Sequence, residues 1–185
     1  MCAHKPVILA LALLGLSTSV LAQTYQIGRK VTEAQVAPWT IDVFPSGTGL
    51  PAGKGSVSEG KPVYDAKCAV CHGSKGEGTL ADRLVGGANT LKSGKPVKTL
   101  GSYWPYATTA YDYIYRAMPY DRPQSLTPNE VYAVIAYLLH LNNIVDASAT
   151  LDAVTLPKVK MPNSAGFTAD PRPDVANIPC MRDCR

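Results

Sequence analysis

The 185-residue sequence has little that would suit it to nucleic acid, to a bilayer or to a repeated architecture. Lys and Arg number 18 against 14 Asp and Glu, a formal charge of +4, and the basic residues are scattered. Nucleic acid and anionic lipid surfaces call for a clustered basic footprint, which is missing, so neither is an expected partner. After Gln23 no long apolar run recurs, so no membrane span is expected in a mature chain. No internal repeat or low-complexity tract occurs, and no alternation of strands and helices suggests an α/β domain. Cysteine is scarce: Cys2, the pair Cys68 and Cys71, and the pair Cys180 and Cys184.

What is present begins with a targeting pattern. Lys5 precedes an apolar run from Val7 to Leu16, and small residues lead to Val20-Leu21-Ala22 before Gln23. This is the layout of a secretory signal peptide, and its apolar run is too short to span a bilayer. Cleavage is expected after Ala22, with the product exported to the periplasm. An exported chain with paired cysteines is not expected to carry idle thiols.

Residues 23–56 read as an irregular arm. Thr32-Glu33-Ala34-Gln35 fits a capped single turn limited by Pro38, and residues 45–60 hold two Pro and five Gly, which favour turns. A first helix is expected over about Glu59 to Cys71, with Gly60, Tyr64 and Cys68 on one face. A long loop with short turns follows over 73–106. A second helix over about Thr108 to Ala117 places Tyr111, Ile114, Tyr115 and Met118 at helical spacing before Pro119 stops it. The third helix starts with Thr127 as cap, Pro128 at the first helical position and Glu130 closing a capping box. Its apolar stripe is Val131, Val134, Ile135, Leu138 and Leu141, and it ends near Asn142-Asn143. Beyond Asp146 periodicity vanishes and residues 156–180 hold five Pro, so an extended arm lying on the domain or on a partner is expected there.

The chemistry lies in Cys68-Ala69-Val70-Cys71-His72, a C-x-x-C-H run of the kind that attaches haem c. Two thiols at this spacing reach both vinyl groups of one porphyrin, and the adjacent imidazole faces the iron. A thioredoxin-like pair would want an α/β setting. A zinc site would want a second ligand pair of matching spacing, which Cys180 and Cys184 do not supply. For the sixth iron position the mature chain offers Met118, Met161, Met181 and His140. Met118 is preferred because it ends a helix just before a stiffening Pro and the capped third helix. The alternative is Met118 as core filler. His140 suits the dipole at a helix C-terminus. In the aromatic stretch 101–106, Tyr103 and Trp104 are candidates for packing on the haem or bonding a propionate, the alternative being ordinary core. Cys180 and Cys184 would lie about 6 Å apart in a helical turn, within disulfide range. A disulfide is expected there, with thiol chemistry as the rival.

These features together resemble class I cytochrome c. The match runs over Gly60-x-x-x-Tyr64-x-x-x-Cys68-x-x-Cys71-His72-Gly73, Met118, and Tyr137-Leu138-Leu139 in the last helix. The resemblance implies an all-α fold in which the first and last helices cross near Gly60, Tyr64 and Tyr137. A narrower likeness extends over Lys98–Ala107, Arg116–Pro119, Gln124–Leu126, the leader 39–51, Lys160–Asn163 and the terminal cysteine pair. It is similar to the cytochrome subunit of sulfane dehydrogenase in the Sox sulfur-oxidation system. That likeness implies a molybdenum-cofactor partner oxidising sulfite or a sulfane and a downstream cytochrome or oxidase. Members of that family often carry a second haem domain after the cysteine pair; this sequence holds one C-x-x-C-H.

The expected organisation is therefore a signal peptide (1–22), an N-terminal arm (23–56), a haem domain (57–145) and a Pro-rich C-terminal arm (146–185). One covalent haem c is expected, with no catalytic centre of the chain's own. The expected function is an electron-accepting subunit. The alternatives are a free shuttle to a terminal oxidase or other cytochrome, and a haem enzyme with an open distal site.

Overall fold

The computed structural model describes residues 28–172, so the signal sequence and the Cys180–Cys184 pair lie outside it. Its described residues fall into two units, 28–39 and 40–172. The first contains one short helix, α1 (Glu33–Val36), entered through Thr32, whose N–H donates to Gln35 Oε1 at 3.0 Å. The expected single turn is there.

In the second unit a strand, β1 (Lys54–Ser56), runs into helix α2 (Val57–Lys67). The helix starts two residues earlier than the apolar spacing indicates because Ser56 and Glu59 form a capping box. Ser56 Oγ accepts from Glu59 N at 3.2 Å and Glu59 Oε2 accepts from Ser56 N at 2.8 Å. It also stops sooner. At Cys68 the backbone turns to φ −126° and ψ −39°, and a separate turn, α3 (Ala69–His72), follows. Helix α4 (Ala107–Ala117) and helix α5 (Pro128–Leu141) complete the frame. The Thr127–Glu130 capping box forms as expected, with Glu130 Oε2 accepting from Thr127 N at 2.9 Å.

Helix α5 is the centre of the core. Every residue from Val131 to Leu139 is buried, so the expected one-sided stripe is in fact apolar all round, while Leu141 is only half-buried. A helix with no polar face belongs inside. Its main neighbour is α2. At their crossing a Cβ on Gly60 would stand 1.9 Å from Ala133 O and 2.7 Å from Tyr137 Cβ, so only glycine admits this approach. The rings of Tyr64 and Tyr137 meet beside it, centroids 5.5 Å apart.

The segments flanking the three main helices are part of this core. Strand β2 (Thr150–Asp152) pairs antiparallel with β1, Gly55 opposite Leu151. A 3₁₀ turn follows at Leu156–Lys158. Leu151, Leu156 and Met161 are buried in the main cluster, as is Val43 from the leader. The leader is tied to α4: Asp112 Oδ1 accepts from Val43 N at 2.8 Å, and Arg116 reaches Asp42 at 2.6 Å and Asp112 at 2.9 Å. Thr108 Oγ1 donates to Pro45 O at 3.1 Å, and Tyr132 OH donates to Pro51 O at 2.9 Å. The tail expected beyond Asp146 lies on the domain over residues 146–163, its extended course interrupted by β2 and the 3₁₀ turn. Apolar residues spaced along it, without helical or strand period, each fill a gap in the helical frame. No helix among the described residues is long and apolar enough to cross a membrane.

Candidate haem site

The C-x-x-C-H run sits where α2 breaks. Because Cys68 closes α2 and opens the next turn, its carbonyl accepts from both Cys71 N at 3.1 Å and His72 N at 3.0 Å. This tight turn carries Cys68, Cys71 and His72 to the wall of one cavity of about 450 Å³. Leu84, Leu100 and Ile114 line it from the loops and α4, and Val134 and Leu138 from α5. The lining is mostly apolar.

His72 is held in one tautomer. Its Nδ1 lies 2.7 Å from the backbone carbonyl of Asp82, and a carbonyl oxygen only accepts. Nδ1 therefore carries the proton and Nε2 keeps the lone pair that binds a metal. Tyr64 OH, fully buried, donates to Gly73 O at 2.8 Å and pins the far end of the same turn. Both thiols are free. Burial pushes the Cys68 thiol up to about 11, against the pull of neighbouring Lys67 and with a small push from Cys71. A thioredoxin-like nucleophile needs the opposite shift. No group of three or more His, Cys, Asp or Glu that could hold a metal occurs among the described residues, and the Cys180–Cys184 pair weighed for a zinc site lies outside them.

Met118 borders the same cavity, at the end of α4, with its N–H donating to Ile114 O at 3.1 Å. Met161 and His140 part company with it. Met161 is buried in the core and is not on the cavity wall. His140 Nδ1 meets the Val145 carbonyl at 3.1 Å, also away from the wall. Met181, like Cys180 and Cys184, lies outside the described residues. Of the two aromatic candidates, Trp104 lines the cavity and packs edge-on to Tyr113, centroids 5.7 Å apart. Tyr103 does not. Its ring turns to Phe167 at 5.3 Å and its carbonyl accepts from Asn163 Nδ2 at 2.7 Å, so residues near the C-terminal end of the described chain draw it off the wall. Asp82 escaped the sequence reading because it acts through its backbone, which leaves no side-chain signature.

The family model for cytochrome c matches residues 57–142, the stretch from the start of α2 to the end of α5. One chain of the crystal structure of the sulfane dehydrogenase SoxCD from Paracoccus pantotrophus superposes with a TM-score of 0.75 at 38% identity, covering 88% of this chain and 83% of that one. The chain belongs to the cytochrome c family. This cytochrome is also similar to the thiosulfate dehydrogenase of Stutzerimonas stutzeri (strain A1501), 32% identical over 90 residues, 48% of this chain and 28% of that protein. The thiosulfate dehydrogenase of Thiomonas intermedia (strain K12) is 34% identical over 85 residues, 43% and 24% of the two chains. The matches thus span only about a quarter of each curated relative's length.

A cytochrome c domain implies covalently bound haem c, and Cys68 and Cys71 stand in the thiol positions of its motif. The site fits that group. Two free thiols, an imidazole with Nε2 available and a thioether border one apolar cavity. The cytochrome is an electron carrier related to subunits of thiosulfate and sulfane dehydrogenases.

Proposed function

We propose that this cytochrome is a periplasmic, mono-haem electron-accepting subunit of a molybdenum-dependent sulfite or sulfane dehydrogenase. In this reading Cys68 and Cys71 form the two thioether links, and His72 Nε2 and the Met118 sulfur take the fifth and sixth iron positions. Residues 1–22 are removed, residues 57–145 hold the haem, and the arms 23–56 and 146–185 flank it, with Cys180 and Cys184 joined as a disulfide. What supports the ligand assignment most is that Cys68, Cys71, His72 and Met118 all line one cavity although Met118 lies 46 residues beyond His72.

Haem c, when bound, supplies a one-electron couple. The chain's residues then tune and protect it. The Asp82 carbonyl, by holding Nδ1–H, makes the imidazole a stronger donor and fixes its plane. A Met ligand raises the reduction potential relative to a second nitrogen, and the apolar wall formed by Leu100, Val134 and Leu138 works in the same direction by excluding water. The exposed Val70 between the two cysteines and exposed Leu80 mark where a redox partner can approach closely. The breadth of the match to a chain of SoxCD favours a dehydrogenase partner over a free shuttle.

Affinity capture of the tagged full-length chain from its native periplasm tests this reading. A molybdenum protein should co-purify, and sulfite, thiosulfate or a sulfane should reduce the captured complex. A lone monomer with no sulfur-dependent reduction points instead to the shuttle. N-terminal sequencing of the product should begin at Gln23.

A further inference from the structure

Two residues that line the cavity and lie close in sequence carry hydrogen-bond donors with no acceptor among the described residues. Lys98 borders the cavity, and no carboxylate lies within salt-bridge range of its ammonium among the described residues. Trp104 borders the same cavity, and no protein acceptor takes its indole N–H there. An apolar slot with a free cation and a free N–H at its edge suits a ligand with an apolar body and an acidic margin. Haem has that form: its propionates are the only charged groups on its periphery. Lys98 is also held in place. Its Nζ lies 4.9 Å from the centroid of the Tyr103 ring, a cation–π contact that limits where the long side chain can go. Tyr103 in turn is braced by Phe167 and by Asn163.

Resting on the haem reading above, we propose that Lys98 is the counter-ion of a haem propionate and thereby a positioning residue that sets the reduction potential. Trp104 N–H completes the anchor, and Tyr103, which does not reach the cavity itself, serves as the platform that keeps the ammonium at the rim. The physical basis is electrostatic. A fixed positive charge near the haem stabilises the state with one more electron, so its removal must favour the oxidised form. Lys98 is exposed, which reduces the effect. A charge acting over roughly 12 Å in a medium of effective dielectric about 40, between a protein surface and water, would change a one-electron equilibrium by about threefold. Reversing the charge should give about tenfold by the same estimate.

The test is a spectroelectrochemical titration of the matured, full-length holoprotein against Lys98→Gln, Lys98→Glu and Lys98→Arg. At a fixed applied potential the ratio of reduced to oxidised protein should fall about threefold in Lys98→Gln and about tenfold in Lys98→Glu. Lys98→Arg should stay near wild type, and the differences should shrink as salt is raised. Phe167→Ala, which loosens the platform without touching a charge, should move the ratio in the direction of Lys98→Gln but by less. Equal midpoints for wild type and the three Lys98 variants, with the haem spectrum intact, would overturn the assignment and leave Lys98 as a surface cation. A wild-type protein that matures without any covalent porphyrin is a different failure. It removes the haem reading itself, and this inference with it.

Discussion

The two sides of the cavity are built in different ways. On the His72 side almost everything is local: Ala81 N and Thr79 Oγ1 both donate to Cys71 O, at 2.8 and 2.7 Å, and Gly78 N donates to His72 O at 2.8 Å. With the Asp82 carbonyl on Nδ1, the fifteen residues from Cys68 to Asp82 position the imidazole and both thiols. On the Met118 side the local scaffold is thin, an N–H to Ile114 O and a turn closed by Arg122 N to Pro119 O at 2.9 Å. The placement of Met118 is inherited from α4, and α4 is held by the leader through Asp42, Val43 and Pro45. A covalent attachment site can be encoded in a short motif, whereas the sixth ligand proposed for Met118 depends on tertiary structure from distant parts of the chain.

That contrast can be broken from either side. Replacing both cysteines, Cys68→Ala with Cys71→Ala, should abolish covalent pigment altogether, read as loss of haem staining on a denaturing gel. Met118→Ala should behave differently: covalent staining persists while the sixth position opens. Rapid cyanide or carbon monoxide binding and a lower reduction potential are the expected signs. Unchanged ligand exclusion in that variant would point to another residue on the Met118 side.

A smaller effect sharpens the dependence of Met118 on the leader. Asp112→Ala leaves Val43 N–H without its acceptor and Arg116 without one of its two carboxylate partners. A loss of about 1–3 kcal/mol in denaturant unfolding is expected. Partial burial acts to raise the Asp112 carboxyl, but the hydrogen bonds from Arg116 and from Val43 N–H outweigh it and hold the group below its ordinary 3.8. A depressed native value stabilises above the unfolded one, and this contribution disappears as pH falls through the native value. The gap between wild type and Asp112→Ala should therefore be full above about pH 5 and narrow below 3.8. The smallest effect belongs to Tyr111, whose hydroxyl is buried without a partner. Tyr111→Phe should be neutral or raise stability by up to about 1 kcal/mol in the same assay.

How far each side was legible follows from the same difference. The C-x-x-C-H run and the Thr127–Glu130 box depend on residues close in sequence and were readable, whereas the Gly60 approach was implied by the resemblance to class I cytochrome c; the structure shows the box and the approach. The pairing of β1 with β2 joins residues 54–56 to 150–152 through strands too short to show alternation, so it left no pattern. Leu151, Leu156 and Met161 could not be singled out within the extended arm because single apolar residues that plug gaps have no period. Tyr103 and Trp104 are neighbours of nearly equal chemistry. Which one reaches the cavity depends on Asn163 and Phe167, some 60 residues further on, and no local feature distinguishes them.

The close approach at Ala133 has one more consequence. Its backbone is met by Gly60 from α2 and, on another side, by Gly55 from β1, where a Cβ would stand 2.2 Å from Ala133 N. Helices locked this closely cannot slide when the charge on a neighbouring group changes. For a carrier that gives and receives single electrons, such immobility keeps the reorganisation energy small, and speed of exchange then rests on atoms that glycine leaves out.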